Sequence, residues 1–547
     1  MPDTGRLLAQ VLWNRGLRTR EEAEAFLAPS WEAHIHDAKL FRRMDGAVAK
    51  VLDAVKIGEK ITVHGDYDAD GVTGSTMIIT VLKKLGADVD SYIPHRDKEG
   101  YGLSKETVGK LKTGNCKLII TVDCGIACVD EIALAKNEGM ETVVVDHHTF
   151  GENLPDGHLI HPGLPDETYP FKHLAAVGVS YKFCCSLIEG ARLNGMDIPA
   201  GYEKWLLDLV AIATVTDMVP LIGENRVLET YGLKVFNKTK RPGLQALMEI
   251  AGVAPGSVTS ETIGFAIGPR INAAGRMDHA SLALRLLLSE SIDEARILAQ
   301  ELELLNKLRQ DTTRKMMAEA EKMHEASDDK IIVLWKEAWS PSLVGLIAGR
   351  YLEQYSRPVV AIGSHDGNWI GSGRSISAYN ITDAVKAAGE GILTRSGGHV
   401  QACGFALDDG TKLDTFKARL IEHASAIPEN ELIPQILIDA ELPLSAVTSD
   451  SADSVAGLEP FGMGNPKPIF ATRGVRVLSC DTMGASGSHL RLSLVDENGR
   501  KVKAVGFKMG KRLLDILHKP TIDIAYTIAM NEWQGMRNAE CHLVDFQ

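Results

Sequence analysis

The sequence predicts an α/β protein of two α/β lobes joined by a long helix, followed by a small C-terminal β-barrel. Three observations predict it. Between about residues 46 and 220 short apolar, β-branched runs alternate with helical patterns. After Ser291 one helical pattern runs to Met323 without Gly or Pro. From about residue 430 short strands separated by turns take over. Alternation of the first kind marks βαβ units around a mostly parallel sheet, while closely spaced short strands suit a barrel. A chain of 547 residues holds about three or four domains of ordinary size.

Composition narrows the function classes. Apolar residues make up 45% and charged residues 24%, the balance of a soluble protein with a large core. No apolar run reaches the length of a membrane span, and Met1-Pro2-Asp3-Thr4-Gly5-Arg6 lacks the basic and apolar regions of a signal peptide. No membrane association is expected. The eight cysteines are scattered with no Cys-x-x-Cys pair, so they read as free thiols in a reducing cytoplasm. A net charge of −13 argues against a nonspecific polyanion binder but leaves room for a local basic groove.

Residues 1–45 read as helical and peripheral. The first lobe opens on Ile61-Thr62-Val63, then His64-Gly65-Asp66-Tyr67-Asp68-Ala69-Asp70-Gly71, then a stretch able to start a helix. On an extended backbone alternate side chains share a face, which would point His64, Asp66, Asp68 and Asp70 the same way. Groups so close repel one another unless cations neutralise them. Oxygen and imidazole donors without thiolate suit Mn²⁺, Mg²⁺ or Zn²⁺ rather than a structural zinc knot. A solvated acidic turn is the competing reading. Lys117–Val122 then leads to Asp123-Cys124-Gly125, and Thr142–Val145 to Asp146-His147-His148. Ligands in open α/β sheets gather outside the carboxyl ends of strands, and three successive strand ends here carry acid or histidine. Asp217 follows the apolar run Leu206–Val215, whose pattern fits strand and helix alike.

Gly268-Pro269-Arg270-Ile271-Asn272-Ala273-Ala274-Gly275-Arg276-Met277 is basic and glycine-containing. It suits either phosphate contact or a glycine turn bearing surface arginines. Ser291-Ile292-Asp293-Glu294 reads as a capping box that starts the connector, which Ser327-Asp328-Asp329 follows. A second α/β unit begins at Ile331-Ile332-Val333-Leu334 and carries Gly371-Ser372-Gly373-Arg374-Ser375 and Ser396-Gly397-Gly398-His399, each readable as a tight hairpin turn. The terminal strands suggest a barrel of the oligonucleotide-binding type, with Phe461, Phe507 and Trp533 as candidate stacking platforms, although such residues more often pack in cores.

Taken in order, His64-x-x-x-Asp68-x-Asp70, Asp123, Asp146-His147-His148 and Asp217 resemble the successive motifs of the DHH phosphoesterases, and Gly397-Gly398-His399 resembles the hallmark of the associated DHHA1 domain. The connector and the terminal barrel are similar to those of the family's single-strand-specific 5′→3′ DNA exonucleases. The resemblance covers nearly everything after about residue 46. It implies an N-terminal helical segment (1–45), a DHH catalytic domain (46–285), a connecting helix (286–328), a DHHA1 domain (329–430) and an OB-fold nucleic-acid-binding domain (431–547).

The resemblance also implies roles. His64, Asp68 and Asp123 would hold one divalent cation, Mn²⁺ or Mg²⁺. Asp70, Asp123, His147 and Asp217 would hold a second, with Asp123 bridging. Asp66 and Asp146 would orient these ligands, and His148 would contact the scissile phosphate. Arg96, Ser372 and Arg374 would grip a 5′-terminal phosphate, while Arg270, Asn272, Arg276 and His399 would contact the reacting strand. Two neighbouring cations suit in-line phosphodiester hydrolysis to mononucleotides without a covalent intermediate. The expected partners are single-stranded DNA, a single-strand-binding protein and a helicase, in DNA repair and recombination. Two other readings compete: a phosphohydrolase of short oligonucleotides or small phosphate substrates, which needs no barrel, and a non-enzymatic replication module, which should have lost metal ligands.

Overall fold

The computed structural model describes residues 4–324, 328–365, 367–484, 486–517, 519–533 and 535–547. Ser327 and the side chain of Trp533 lie outside the described residues.

The first sheet contains β1 (Ile61–Gly65), β2 (Val89–Tyr92), β3 (Leu118–Val122), β4 (Glu141–Val145) and β5 (His158–Ile160). All are parallel, in the order β2-β1-β3-β4-β5. Helices cover both faces, which is why β1 and β3 are buried at every position and read as unbroken apolar runs. Alternate residues still separate: Ile120 and Val143 meet the core holding Val72 and Val179, while Ile119 and Val144 meet Val108 and Ile132. The strand order reverses between β1 and β3, so the loops after them part and open a crevice at the carboxyl ends.

Leu207–Thr216 is a helix, buried at Leu207 through Thr214. Packed on all sides, it has no polar face, and so its sequence carries no helical stripe. Gly268–Met277 is also helical rather than a glycine turn, entered from the π-helical turn Ile263–Ile267. Pro269 sits in its first turn, and a Cβ on Gly268 would lie 2.2 Å from Thr216 Cγ2, so the glycine permits close packing.

The connecting helix is Ile292–His324, 33 residues and hence about 50 Å long. Leu298 and Leu302 sit in the first lobe's core, and Met316 and Ala320 in the second's. It starts at Ile292, where the Ser291 signal put it, and Ser281–Leu288 forms a separate helix packed into the first lobe.

The second sheet holds β6 (Ile332–Trp335), β7 (Val359–His365), β8 (Asn368–Arg374), β9 (Leu393–His399) and β10 (Ala402–Leu407), in the order β6-β7-β8-β10-β9. Both glycine-rich clusters therefore run along strands, and neither forms a hairpin tip. The third sheet comprises β11 (Ala440–Glu441), β12 (Phe470–Met483), β13 (His489–Val495), β14 (Lys501–Gly506), β15 (Thr521–Trp533) and β16 (Met536–Phe546). Strand β12 pairs with both β13 and β15, closing a five-stranded barrel with β14 and β16.

The N-terminal helices are not peripheral. Leu7, Val11, Leu12 and Phe26 join the barrel-side core with Leu444, Val455 and Phe470. Buried Arg226 fastens the junction, donating to the carbonyls of Phe26 (2.6 Å), Leu458 (3.0 Å) and Glu459 (2.8 Å). All eight cysteines are free. Among the described residues no helix is long and apolar enough to cross a membrane.

Candidate metal centre and strand-binding cleft

The crevice at the β1/β3 reversal collects the acidic motifs, though not by alternation along an extended strand. Strand β1 ends at Gly65, and Asp68 caps the helix Ala69–Lys84 by accepting from the amides of Asp70 (2.9 Å) and Gly71 (3.3 Å). Asp70 is already helical. Its two oxygens accept from the amides of Ala176 and Val177, both at 2.7 Å, where the helix Ala176–Leu193 begins. Asp123 follows β3 with φ +61°, a left-handed conformation that aspartate tolerates better than most side chains. Its amide donates to Val145 (3.0 Å), and its carbonyl accepts from the Tyr101 hydroxyl (2.9 Å).

His147 Nε2 lies 3.3 Å from Asp123 Oδ1, 3.5 Å from Asp217 Oδ2 and 3.8 Å from Asp70 Oδ2. Asp66, Asp68 and Asp123 present a second donor group, whose ligand atoms lie within 4.8 Å of one another. Asp66, expected to orient these ligands, thus presents an oxygen of its own beside Asp68 and Asp123. His64 is buried against Tyr92 (5.6 Å between ring centres), with Nδ1 3.6 Å from Cys124 Sγ. Asp146 accepts from the amides of Ile126 (3.0 Å), His147 (2.7 Å) and His148 (3.1 Å), and from His148 Nδ1 (2.9 Å).

Electrostatics favour a cation here. Burial, then repulsion from Asp68, pushes the Asp70 carboxyl up to about 7. Burial and neighbouring carboxylates likewise hold Asp66, Asp123 and Asp217 well above the ordinary range. Burial lowers His64 and His147 to about 4, leaving neutral imidazoles with a lone pair to give. His64 Nε2, Asp66 Oδ1, Asp123 Oδ1 and His147 Nε2 are buried without a hydrogen-bond partner. Leaving so many donor atoms unsatisfied is costly, and divalent cations would satisfy them. Two groups behave differently. Burial opposes ionisation of Asp146, but the hydrogen bond from His148 and further bonds hold it at about 2; burial also opposes protonation of His148, yet Asp146 raises it from its ordinary value.

Beside the metal donors a cleft of about 480 Å³ runs between the lobes, lined by Tyr67, Arg96 and Tyr101 on one side and Ile370, Arg395 and Gly397 on the other. Arg96 stacks over Tyr67 at 4.7 Å. Arg374 donates from NH1 to Ser372 Oγ (2.8 Å) and Gly373 O (2.8 Å), and Arg276 donates to Ser342 O (2.9 Å). Burial lowers both guanidinium groups, with Arg96 adding to the effect, and brings Arg276 to about 9. None of these three arginines pairs with a carboxylate among the described residues. Guanidinium groups without an ion-pair partner suit an anion, although of the three only Arg96 lines the cleft itself.

Other expected contacts are differently employed. Asn272 Oδ1 accepts from the Ala69 amide (2.7 Å), bracing the metal loop. Arg270 is engaged by Glu303 (2.7 Å) and the Ala266 carbonyl (2.7 Å). His399 is exposed at the edge of the second sheet, outside the residues lining the cleft. Phe507 is half exposed against His489 and His542, whereas Phe461 packs partly into the barrel-side core. Sequence reasoning missed Tyr67, Tyr101 and Arg395. Tyr67 lies inside the acidic motif, which was the available signal.

Comparison with known proteins decides the family. The DHH family N-terminal domain matches residues 60–214, the DHHA1 domain 306–426 and the RecJ OB domain 438–545. The chain is 36% identical to the single-stranded-DNA-specific exonuclease RecJ of Bacillus subtilis over 98% of its own length and 67% of that protein's. Against RecJ of Salmonella typhimurium it is 33% identical, covering 99% and 96% of the two chains. The chain belongs to the RecJ family. A crystal structure of Thermus thermophilus RecJ with Mn²⁺ superimposes with a TM-score of 0.84 at 32% identity, over 99% of this chain and 76% of that one. The same RecJ has also been crystallised with Mg²⁺. The RecJ fold therefore comprises the two α/β lobes, the connecting helix and the closed barrel described above.

Proposed function

We propose that this chain is a divalent-metal-dependent, single-strand-specific 5′→3′ DNA exonuclease that releases mononucleotides in DNA repair and recombination. One observation carries the reading: a buried set of unsatisfied carboxylate and imidazole donors lies beside three arginines that, among the described residues, form no ion pair with a carboxylate. His64, Asp68, Asp70, Asp123, His147 and Asp217 are the ligands in this reading. Bound there, two Mn²⁺ or Mg²⁺ ions supply an activated water near neutral pH and neutralise charge on the reacting phosphate.

The chain's own residues do the rest. Arg96, Ser372 and Arg374 hold a terminal phosphate, so that the first internal linkage lies over the donors. Arg276 contacts the following backbone in this reading, with His399 at the outer edge, while Arg270 stays engaged by Glu303. His148, kept protonated to higher pH by Asp146, hydrogen-bonds the scissile phosphate. Asp66 and Asp146 fix the loops that carry the ligands, and Asn272 braces Ala69. The barrel adds grip on a long strand, which a small-molecule phosphohydrolase would not need. A decayed binding module is disfavoured because every donor is present.

The domain division expected from the sequence is kept, at 1–45, 46–285, 286–328, 329–430 and 431–547. Free thiols favour a cytoplasmic setting. A single-strand-binding protein and a helicase are the partners this role calls for. Digestion of end-labelled single and double strands with Mn²⁺ or Mg²⁺ tests the reading. Mononucleotides should appear from 5′ ends of single strands only, and equal digestion of duplex would overturn it.

A further inference from the structure

The helix Ala69–Lys84 begins at the metal donors and is 16 residues long, so its far end lies about 24 Å away. A second cleft of about 700 Å³ opens at that end, outside the catalytic crevice. Its volume is that of a small-molecule pocket. Lys83 and Lys84 line it from the helix end, and Lys240 lines it from the turn before the helix Pro242–Ala251. Among the described residues none of these three lysines pairs with a carboxylate. They gather on a protein of net charge −13, so the basic patch is a local reversal. Attraction to the helix C-terminus accounts for Lys83 and Lys84, but not for Lys240.

Two further features point to what the cleft takes. Trp205, 46% exposed, lies in its wall with Lys240 Nζ 5.4 Å from the ring centre. An exposed indole beside a cation is a platform for a flat ring bearing an anion. At the cleft lies Asp208, 3% exposed. Its Oδ2 is taken by the Thr239 hydroxyl (2.7 Å) and Arg241 Nε (3.4 Å), while Oδ1 is buried without a hydrogen-bond partner. An unsatisfied buried carboxylate oxygen calls for an N–H donor, and the amino or imino groups of nucleobases provide one.

We propose that this cleft is a second, non-catalytic site for a nucleoside 5′-phosphate, with the base on Trp205 and Asp208 and the phosphate on Lys83, Lys84 and Lys240. Calorimetric titration of the metal-loaded protein with each deoxynucleoside 5′-monophosphate, and separately with inorganic phosphate, tests it. The Arg374→Ala variant silences the phosphate grip expected in the catalytic cleft, and nucleotide binding should persist in it. Lys240→Glu and Trp205→Ala, both at exposed positions, should each weaken that binding at least tenfold while leaving single-strand cleavage and the melting temperature unchanged. Inorganic phosphate should bind at least tenfold more weakly than the best nucleotide. The assignment is overturned if nucleotide binding vanishes with Arg374, survives both Lys240→Glu and Trp205→Ala, or is matched by phosphate alone.

Discussion

Removing the Arg374 guanidinium should erase the distinction between two kinds of 5′ end. Its NH1 is committed to Ser372 Oγ and Gly373 O, each at 2.8 Å, which leaves Nε and NH2 to face an anion. The helix Pro341–Tyr355 packs against the pair, where a Cβ on Gly345 would lie 3.2 Å from Ser372 Oγ and 3.4 Å from NH2. The fork is thus held before any ligand arrives. A charge-assisted hydrogen bond is worth about 1.5–3 kcal/mol, or about ten- to a hundredfold in rate at roughly 1.4 kcal/mol per decade. Arg374→Ala should therefore slow hydrolysis of 5′-phosphorylated single strands by about that factor and barely change 5′-hydroxyl strands. Arg374→Lys should restore little, because an ammonium cannot reproduce the fork. Cleavage rates of both proteins on both ends, with melting curves to check folding, give the answer. Equal loss on the two ends would assign Arg374 to folding or general catalysis and remove it from the terminal-phosphate grip.

Asp123→Ala should abolish hydrolysis, since Asp123 reaches both donor groups, while Asp66→Ala should cost less; substantial turnover by the Asp123 variant in saturating Mn²⁺ would refute a shared carboxylate. Metal and pH should be linked in stability. Asp66, Asp123 and Asp217 are held above their usual range and Asp70 at about 7, so the metal-free native state binds more protons than the unfolded chain and loses stability as pH rises through that window. The gap between Mn²⁺-loaded and chelated melting temperatures should accordingly widen from about pH 5 to about pH 7.5; a constant gap would contradict the burial argument. Ending the chain near residue 430 should weaken binding to a long oligonucleotide and lower the melting temperature, because Leu7, Val11, Leu12 and Phe26 lose their partners. Equal affinity of both proteins at every salt concentration would give the barrel another task.

Much of the site was legible because strand ends carry its chemistry. The apolar runs before Asp66, Asp123 and Asp146 are strands whose carboxyl ends meet where the sheet order reverses. What stayed hidden depends on distant partners. Arg270 looked free for phosphate, but Glu303 lies 33 positions away and occupies it. Gly268 and Pro269 suggested a turn because both break helices internally, yet at a helix start one permits close packing and the other fits the first turn. Asp70 escaped the alternation argument because the chain had already coiled by then. The packing of residues 7–26 against strands more than 400 positions later leaves no local periodicity to read.

That last packing has a consequence during synthesis. The apolar faces of Thr4–Asn14 and Arg20–Leu27 are made well before the segments that cover them, which lie more than 400 residues later. At about 5–20 residues per second the ribosome takes roughly 20–80 seconds to add the intervening residues. Leu7, Val11 and Phe26 spend that interval without their cover, and the first lobe around β1–β5 can complete its sheet meanwhile. These helices therefore dock late, and a nascent chain stalled before β12 leaves their apolar faces open to whatever chaperone or neighbouring chain is near.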